Sequence, residues 1–290
     1  MPRNSFDKLT TFFHLNDNSN LLRRDDPAYD KLFKIRPFVD ALKKNFLKLE
    51  PEERNSVDEI MIPFKGRSGF TQYIRNKPHK WGIKMFAIAD TSGMLYDFII
   101  YTGKNTGIPA CGLGISGDVV IKLTEHLPRN ENFKVFCDNW FSSYKLFVAL
   151  KQNGLLVTGT VRSNRLQGCQ MKSDVDLKKQ GRGSFDQKTD FTRTVTAVKW
   201  YDNKSVNMIF SYRGTQPMHQ VKRWSIAAKK NIEVSCTALV KEYNESMGDV
   251  DFHDMLVGLY MTDIRARRYY LRIVFNSLDS SVVNAWLFYR

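Results

Sequence analysis

The segment FKVFCDNWFSS, residues 133–143, constrains the fold more than any other part of this sequence. Its apolar, β-prone run predicts a buried strand that ends in a turn, and Asp138 lies at the end of that strand. A carboxylate in an apolar environment is unfavourable unless a cation or hydrogen-bond donors compensate it. The chain must therefore fold so that some other group stabilises Asp138.

Three more acids lie in comparable surroundings. Asp58 lies in the β-prone run SVDEIMIPF, and Asp251 and Asp254 lie three residues apart in GDVDFHDML, which predicts a helix. Carboxylates from separate strands and one helix can converge on hard cations such as Mg²⁺ or Mn²⁺. Two such ions, about 3.5–4 Å apart, would polarise a phosphodiester and stabilise the leaving oxygen. One hypothesis is therefore that Asp58, Asp138, Asp251 and Asp254 bind a pair of metal ions.

Each acid also has an ordinary structural explanation. Asp58 could pair with a nearby basic residue, and Asp138 could cap the helix that the following serines predict. Asp251 or Asp254 could be an acid of the first helical turn, which the helix dipole favours. The spacing of the four acids leaves both explanations open.

The charge of the chain favours a polyanionic partner. Its 290 residues contain 44 Lys and Arg against 30 Asp and Glu, a net charge of +14. Such an excess indicates nucleic acid ahead of an acidic membrane surface, with a generally soluble basic surface as the alternative. No apolar stretch is long enough for a membrane span, and the first residues show no secretory signal. The four cysteines form no C-x-x-C pair, which indicates a reducing compartment, cytosol or nucleus.

The order of predicted elements indicates a mixed α/β sheet with helices packed on it. A helix is expected to begin at Asp26-Pro27, because proline fits a first helical turn. The short TSG between IKMFAIAD and MLYDFIIYTG predicts a hairpin. Antiparallel strands followed by parallel ones are what a ribonuclease-H-like fold shows. The predicted units are a helical N-terminal segment, 1–55, the first part of the core, 56–165, a β-rich insertion, 166–236, and a helical C-terminal part of the core, 237–290.

Five segments together resemble the piggyBac-type transposases and their vertebrate transposase-derived relatives. The matching segments are SVDEIMIPFKGR, YIRNKPHKWGIK, FCDNWFSS, GTVRSNR and MGDVDFHDML. The first, third and last correspond to the family's DDD catalytic segments. The resemblance implies a ribonuclease-H-like core that is interrupted by a β-rich insertion.

The resemblance also implies roles for the acids. Asp58, Asp138 and Asp251 fall on the three catalytic acids, and Asp254 falls on an additional acid one helical turn later. The implied cofactor is Mg²⁺ or Mn²⁺, two ions, held by these four residues. The implied chemistry is cleavage at a transposon end that frees a 3′-hydroxyl, formation of a hairpin, and attack on a TTAA target. On this interpretation Asp138 faces a divalent ion that it shares with Asp58 and Asp251.

The chain departs from the family's pattern in two places. Asp249 stands where the family usually has a glycine, two residues before Asp251, and adds a negative charge there. Many members also carry a Cys-rich zinc-binding domain after the core, and this sequence stops at WLFYR. We therefore expect weak or no transposition by this stretch alone. A domesticated DNA-binding protein that keeps the fold without catalysis is the alternative.

Basic residues cluster around the predicted acids. Those predicted to bind DNA are Lys65, Arg67, Arg75, Lys77, Lys80, Arg162 and Arg165. Arg265, Arg267 and Arg268 could contact DNA or form a solvated surface, and the sequence leaves both open. Trp140 and Phe141 could belong to the core or stack on a base, and these alternatives are also left open. The expected partner is DNA and the expected location is the nucleus, while a homodimer is left open.

Overall fold

The computed structural model describes residues 1–75, 77, 79–103, 106–192, 194–212, 214–226, 228–264 and 266–290. Arg265, one of the basic residues considered above, lies outside these described residues.

The N-terminal region is less helical than predicted. Helices α1 (Arg3–Phe12) and α2 (Arg36–Phe46) are separated by turns, and the predicted helix start at Asp26-Pro27 is wrong. A carboxylate oxygen of Asp26 accepts the N–H of Ala28 at 2.8 Å, so the side chain stabilises a turn there. Helix α2 begins further along the chain and has its proline in the first turn.

The first half of the sheet is antiparallel. Its strands are β1 (Arg54–Pro63), β2 (Thr71–Tyr73), β3 (Trp81–Asp90) and β4 (Leu95–Ile100). Strand β3 pairs with β1 on one side, and β4 and β2 share its other edge. The predicted TSG hairpin is confirmed: Gly93, with φ of +84°, provides the left-handed turn residue between β3 and β4.

The second half of the central sheet is parallel. Its elements are α3 (Ile115–Leu123), β5 (Lys134–Cys137), α4 (Tyr144–Gln152) and β6 (Leu156–Thr160). Strand β5 runs parallel to β1, and β6 runs parallel to β5. Helix α4 starts as predicted, because the Ser143 hydroxyl accepts the N–H of Leu146 and satisfies one free donor of its first turn. The sheet is therefore mixed, as the element order predicted.

Residues after β6 extend the same sheet. The elements here are α5 (Asp174–Gln180), β7 (Phe185–Thr189), β8 (Thr196–Tyr201), β9 (Ser205–Phe210), β10 (Met218–Ser225) and β11 (Lys230–Thr237). Strand β9 pairs antiparallel with β6, and β8 and β7 continue outward from β9. Strands β10 and β11 form a separate two-stranded ladder. The boundaries of the units given above stay a prediction.

Three helices complete the chain: α6 (Ala238–Ser246), α7 (Asp249–Leu259) and α8 (Tyr269–Tyr289). Both faces of the sheet are covered. Val57 and Val135 pack on one face with residues of α3 and α4. Ile60 and Ile62 pack on the other face with residues of α2 and α8. None of the helices in the described part of the chain is long and apolar enough to cross a lipid bilayer.

Candidate active site

Asp58 and Asp138 lie on neighbouring parallel strands. Val57 of β1 pairs with Cys137 of β5, and each acid is the next residue along its strand. Neighbouring strands lie about 4.8 Å apart, so this register places the backbones of the two acids side by side. The pairing of two strands that are 80 residues apart in sequence therefore creates the centre of the site.

The surroundings of Asp138 answer the question of what stabilises it. One of its carboxylate oxygens accepts the N–H of Trp140 at 2.7 Å and that of Phe141 at 3.3 Å. Burial still raises the pKa of Asp138, and the charge of Glu59 adds to this, while these N–H groups and Lys84 oppose it. Asp138 thus stabilises a tight turn ahead of α4, and the helix cap itself is a different residue.

The charged neighbours of Asp138 include Lys84, which belongs to the basic cluster that follows Asp58 in sequence, and Glu59, which no sequence signal indicated. The ammonium of Lys84 lies 3.8 Å from a carboxylate oxygen of Glu59 and 4.3 Å from the ring centroid of Trp140. Burial lowers the pKa of Lys84, and the charges of Glu59, Asp58 and Asp138 oppose that shift. Trp140 is therefore half-buried in a packed cluster, and Lys84 occupies one of its faces.

A second group of charges surrounds Lys77. Its ammonium donates to a carboxylate oxygen of Asp251 at 2.9 Å and to the backbone carbonyl of Glu59 at 3.0 Å. Burial alone would lower the pKa of Lys77, but the hydrogen bond to Asp251 and the charges of Asp58, Asp251 and Glu59 raise it. Lys77 is thus a cation held among the predicted metal-binding acids.

Two of the acids around Lys77, Asp58 and Asp254, are partly desolvated, while Asp251 is exposed. Burial raises the pKa of Asp58 well above its usual range, with repulsion from Glu59 and Asp251 adding to the shift and Lys77 opposing it. Burial likewise raises the pKa of Asp254, where Lys77 opposes the shift and Asp251 adds to it. Buried carboxylates with raised pKa values are stabilised by additional positive charge, which is typical of functional sites.

The donor chemistry of these residues fits a hard divalent cation, since all four donors are carboxylates. Across the described ranges, however, no group of three or more His, Cys, Asp or Glu side chains is placed to hold a metal ion. Asp58, Asp251 and Asp254 gather around Lys77, while Asp138 faces Glu59 and Lys84. Binding of a metal by all four acids would require the Lys77 ammonium to leave Asp251. The assignment of these acids as metal ligands stays a prediction.

The basic residues predicted to bind DNA fall into two groups. Those with exposed side chains are Lys65, Arg67, Arg75, Lys80 and Arg162. The Arg162 guanidinium donates to the side-chain oxygen of Asn139 at 3.1 Å, which places it beside the Asp138 turn. Arg165 is half-buried, and it donates to the backbone carbonyls of Trp140 and Ser142. Lys77, Arg162 and Arg165 therefore bond to protein groups, whereas the side chains of Lys65, Arg67, Arg75 and Lys80 are exposed.

Arg267 and Arg268, which precede α8, also differ in their surroundings. The Arg268 guanidinium donates to backbone carbonyls of Thr10 and Thr11, so it ties α1 to the core. Arg267 lines a groove together with Lys80. Phe141 is fully buried, which supports the core role considered for it.

Tyr243 is a further residue near the acids that no sequence signal indicated. It lies on α6, and its hydroxyl is 3.2 Å from that of Thr160. Burial raises the pKa of Tyr243, and the charges of Asp138 and Asp58 add to the shift while the contact with Thr160 opposes it. The phenol is thus a neutral hydrogen-bonding group close to both strand acids.

Known proteins resemble this chain over its whole length. A family model described as Transposase IS4 matches residues 1–286. The human piggyBac transposable element-derived protein 3 is 34% identical over 295 residues, covering 100% of this chain and 48% of that protein. The human piggyBac transposable element-derived protein 2 is 32% identical over 291 residues, covering 99% of this chain and 48% of that protein. The chain thus spans about half the length of these relatives.

A solved structure shows the same fold. The cryo-EM structure of a piggyBac transposase synaptic complex with hairpin DNA superposes with a TM-score of 0.80 at 24% identity, covering 100% of this chain and 57% of that one. The ribonuclease-H-like fold predicted from the element order is therefore confirmed.

Proposed function

This chain belongs to the piggyBac family of transposase-derived proteins, and we propose that it forms the part of such a protein that cleaves and transfers DNA strands in the presence of a divalent metal. The proposed substrate is duplex DNA with TTAA-flanked ends. The proposed catalytic residues are Asp58, Asp138 and Asp251.

The placement of the acids carries this proposal. The strand register puts Asp58 and Asp138 side by side. Helix α7 packs on β1 and β3 and brings Asp251 and Asp254 to the same region, where the charge of Asp251 raises the pKa of buried Asp58. Acids that are remote in sequence and repel one another in a partly buried position are expected where a cation is bound during function.

In this proposal Asp58, Asp138 and Asp251 hold Mg²⁺ or Mn²⁺, with Asp254 as a further donor. When bound, two such ions would polarise the scissile phosphodiester and stabilise the leaving oxygen. Lys77 then exchanges Asp251 for a DNA phosphate, so the same ammonium neutralises the acids without DNA and the phosphate with it.

Other residues of the chain position the DNA and the site. Arg162, which bonds to Asn139 beside the Asp138 turn, contacts a phosphate next to the acids in this proposal. Arg165 holds the carbonyl of Trp140 and keeps that turn in shape. The exposed Lys65, Arg67, Arg75 and Lys80 supply phosphate contacts further out, in keeping with the net charge of +14. A nuclear location and a homodimer belong to the same proposal.

A second candidate function is DNA binding without cleavage. It is favoured by the ion pair between Lys77 and Asp251, because an ammonium already neutralises one of the acids. A protein of this kind would bind DNA through the same basic residues and leave it intact.

Nicking of DNA separates the two candidates. A labelled duplex with TTAA-flanked ends is incubated with the parent chain in Mg²⁺, in Mn²⁺ and in EDTA. The expected result is metal-dependent nicking that Asp138→Asn abolishes and that the exposed control Glu131→Gln retains. Binding of the duplex by the parent without nicking in either metal would refute catalysis and support the second candidate. Metal-dependent nicking that Asp138→Asn retains would refute the assignment of the site.

A further inference from the structure

Two aromatic rings are exposed together at the edge of the sheet. Tyr73 of β2 and Trp81 of β3 are direct cross-strand partners, and their ring centroids are 5.1 Å apart. Their exposed fractions are 51% and 57%, whereas Phe86 of β3 and Phe98 of β4, in the same sheet, are buried. The pair stabilises the short β2 strand, but this role does not require that its rings face solvent.

Cations lie on both sides of Trp81. Its ring lines a groove of about 920 Å³ together with Lys65 and Arg67, and a second groove of about 1050 Å³ together with Lys80 and Arg267. Among the described residues that line these two grooves, Asp263 is the one acid. A flat ring between basic side chains is complementary to a nucleic acid strand, which has negatively charged phosphates and apolar base faces.

The grooves lead to the candidate active site. A third groove, of about 690 Å³, is lined by Asp251, Asp254 and Lys77. It shares Pro63, His79 and Met261 with the groove of Lys80 and Trp81. The groove that Trp81 lines therefore adjoins the groove of Asp251 and Asp254.

The distance between the ring and the acids suits a strand of DNA. The N–H of Phe64 donates to the carbonyl of Trp81, and Phe64 lies six residues beyond Asp58 along the direction of β1. Six residues of extended chain span about 20 Å. Along a strand of duplex DNA this length corresponds to roughly six nucleotides at about 3.4 Å each, and an extended single strand covers it with fewer.

We propose that Trp81, supported by Tyr73, stacks on an unpaired base of a DNA strand that runs along these grooves from the acids. Stacking requires an accessible base face, which a base pair inside a duplex does not offer and an unpaired nucleotide does. Trp81 therefore recognises single-stranded DNA about 20 Å from Asp58, while Lys65, Arg67, Lys80 and Arg267 hold its phosphates. This inference rests on the proposed function, in that the chain acts on DNA.

Binding of labelled single-stranded oligo(dT) and of a matched duplex tests the proposal. The variants are Trp81→Ala, Trp81→Phe, which keeps an aromatic ring, and the control Trp224→Ala. Trp224 is also 57% exposed but lies on the separate β10–β11 ladder. We expect Trp81→Ala to weaken oligo(dT) binding about 5- to 150-fold, the range for loss of one base–aromatic stack, and Trp81→Phe to restore most of it. Trp224→Ala and all duplex affinities stay at the parent level.

The salt dependence gives a second readout that a general loss of structure would not mimic. Trp81→Ala removes no charge, so the slope of log K against log salt is expected to stay unchanged. Circular dichroism spectra verify that each variant is folded. If Trp81→Ala binds oligo(dT) as the parent does, or loses single-strand and duplex binding equally, stacking by Trp81 is refuted while DNA binding stands. If the parent binds neither DNA at any salt concentration, the proposed function fails and this inference fails with it.

Discussion

Asp249 carries a carboxyl group that the fold buries in the first turn of α7. It is 5% exposed, and within the described part of the chain one of its oxygens has no hydrogen-bond partner. Burial raises the pKa of Asp249 to about 7, with repulsion from Asp90 adding to the shift and the nearby Ser56 and Arg54 opposing it. We predict that Asp249→Asn stabilises the fold, and that it does so more at alkaline pH.

The direction follows from where Asp249 ionises. In the unfolded chain it ionises near its ordinary pKa of 3.8, and in the folded chain near 7. Below pH 3.8 the carboxyl is neutral in both states and has no effect. As the pH rises toward 7 the unfolded state alone ionises, so folding is progressively penalised, and above 7 the penalty is constant.

The magnitude follows from the same two values. One pKa unit corresponds to about 1.36 kcal/mol, so the penalty is about 1.7 kcal/mol at pH 5 and about 4 kcal/mol at pH 8. Because Asn removes the charge, its stabilising effect should be larger at pH 8 than at pH 5 by about 2.5 kcal/mol, as an upper limit. His253 shifts the opposite way, since burial lowers its pKa to about 4 and favours unfolding as the pH falls. That contribution is common to parent and variant and cancels in their difference.

Urea unfolding followed by circular dichroism at pH 5, 6, 7 and 8 measures the effect. Asp25→Asn serves as the control, because its side chain is 82% exposed and its substitution should change stability little at any of these pH values. Asp249→Gly, which introduces the residue usual in the family, should show the same pH dependence with a smaller absolute gain, since glycine disfavours the helix. A stability difference between Asp249→Asn and the parent that does not vary with pH would refute the reasoning.

Two further predictions concern the charges around the site. Substitution of Lys65, Arg67 and Arg75 by Glu should weaken duplex binding. The slope of log K against log salt should become shallower by about 0.9 for each phosphate that the variant no longer neutralises. An unchanged slope in a binding titration from 50 to 200 mM salt would exclude these residues from the DNA surface. Lys77→Met should raise the affinity for Mn²⁺ about tenfold in calorimetry, because the ammonium no longer competes for Asp251. A tenfold change corresponds to about 1.4 kcal/mol of binding free energy. Equal or weaker Mn²⁺ binding by the variant would show that Lys77 does not occupy the place of the metal.

Local patterns were sufficient to predict the elements that carry the site. The TSG hairpin follows from a glycine that reaches positive φ, and the start of α4 follows from a serine that caps it. Such features depend on atoms a few residues apart, so the sequence displays them directly. The predicted helix start at Asp26-Pro27 failed for an equally local reason, because an aspartate that precedes a turn can bond to the backbone there and stop a helix from forming.

The sequence by itself determined the mixed sheet, the family and the strands and helix on which the four acids lie. Only the tertiary structure decided which charges meet. Lys77 and Asp251 are 174 residues apart in sequence and form an ion pair, and Arg165 is directed to the turn at Trp140. Likewise Trp81 is exposed while Trp200, also on a strand, is 4% exposed. The physical reason is that ionisation, pairing and exposure depend on distances between side chains, and the pairing of β1 with β3 and β5 sets those distances across the whole chain.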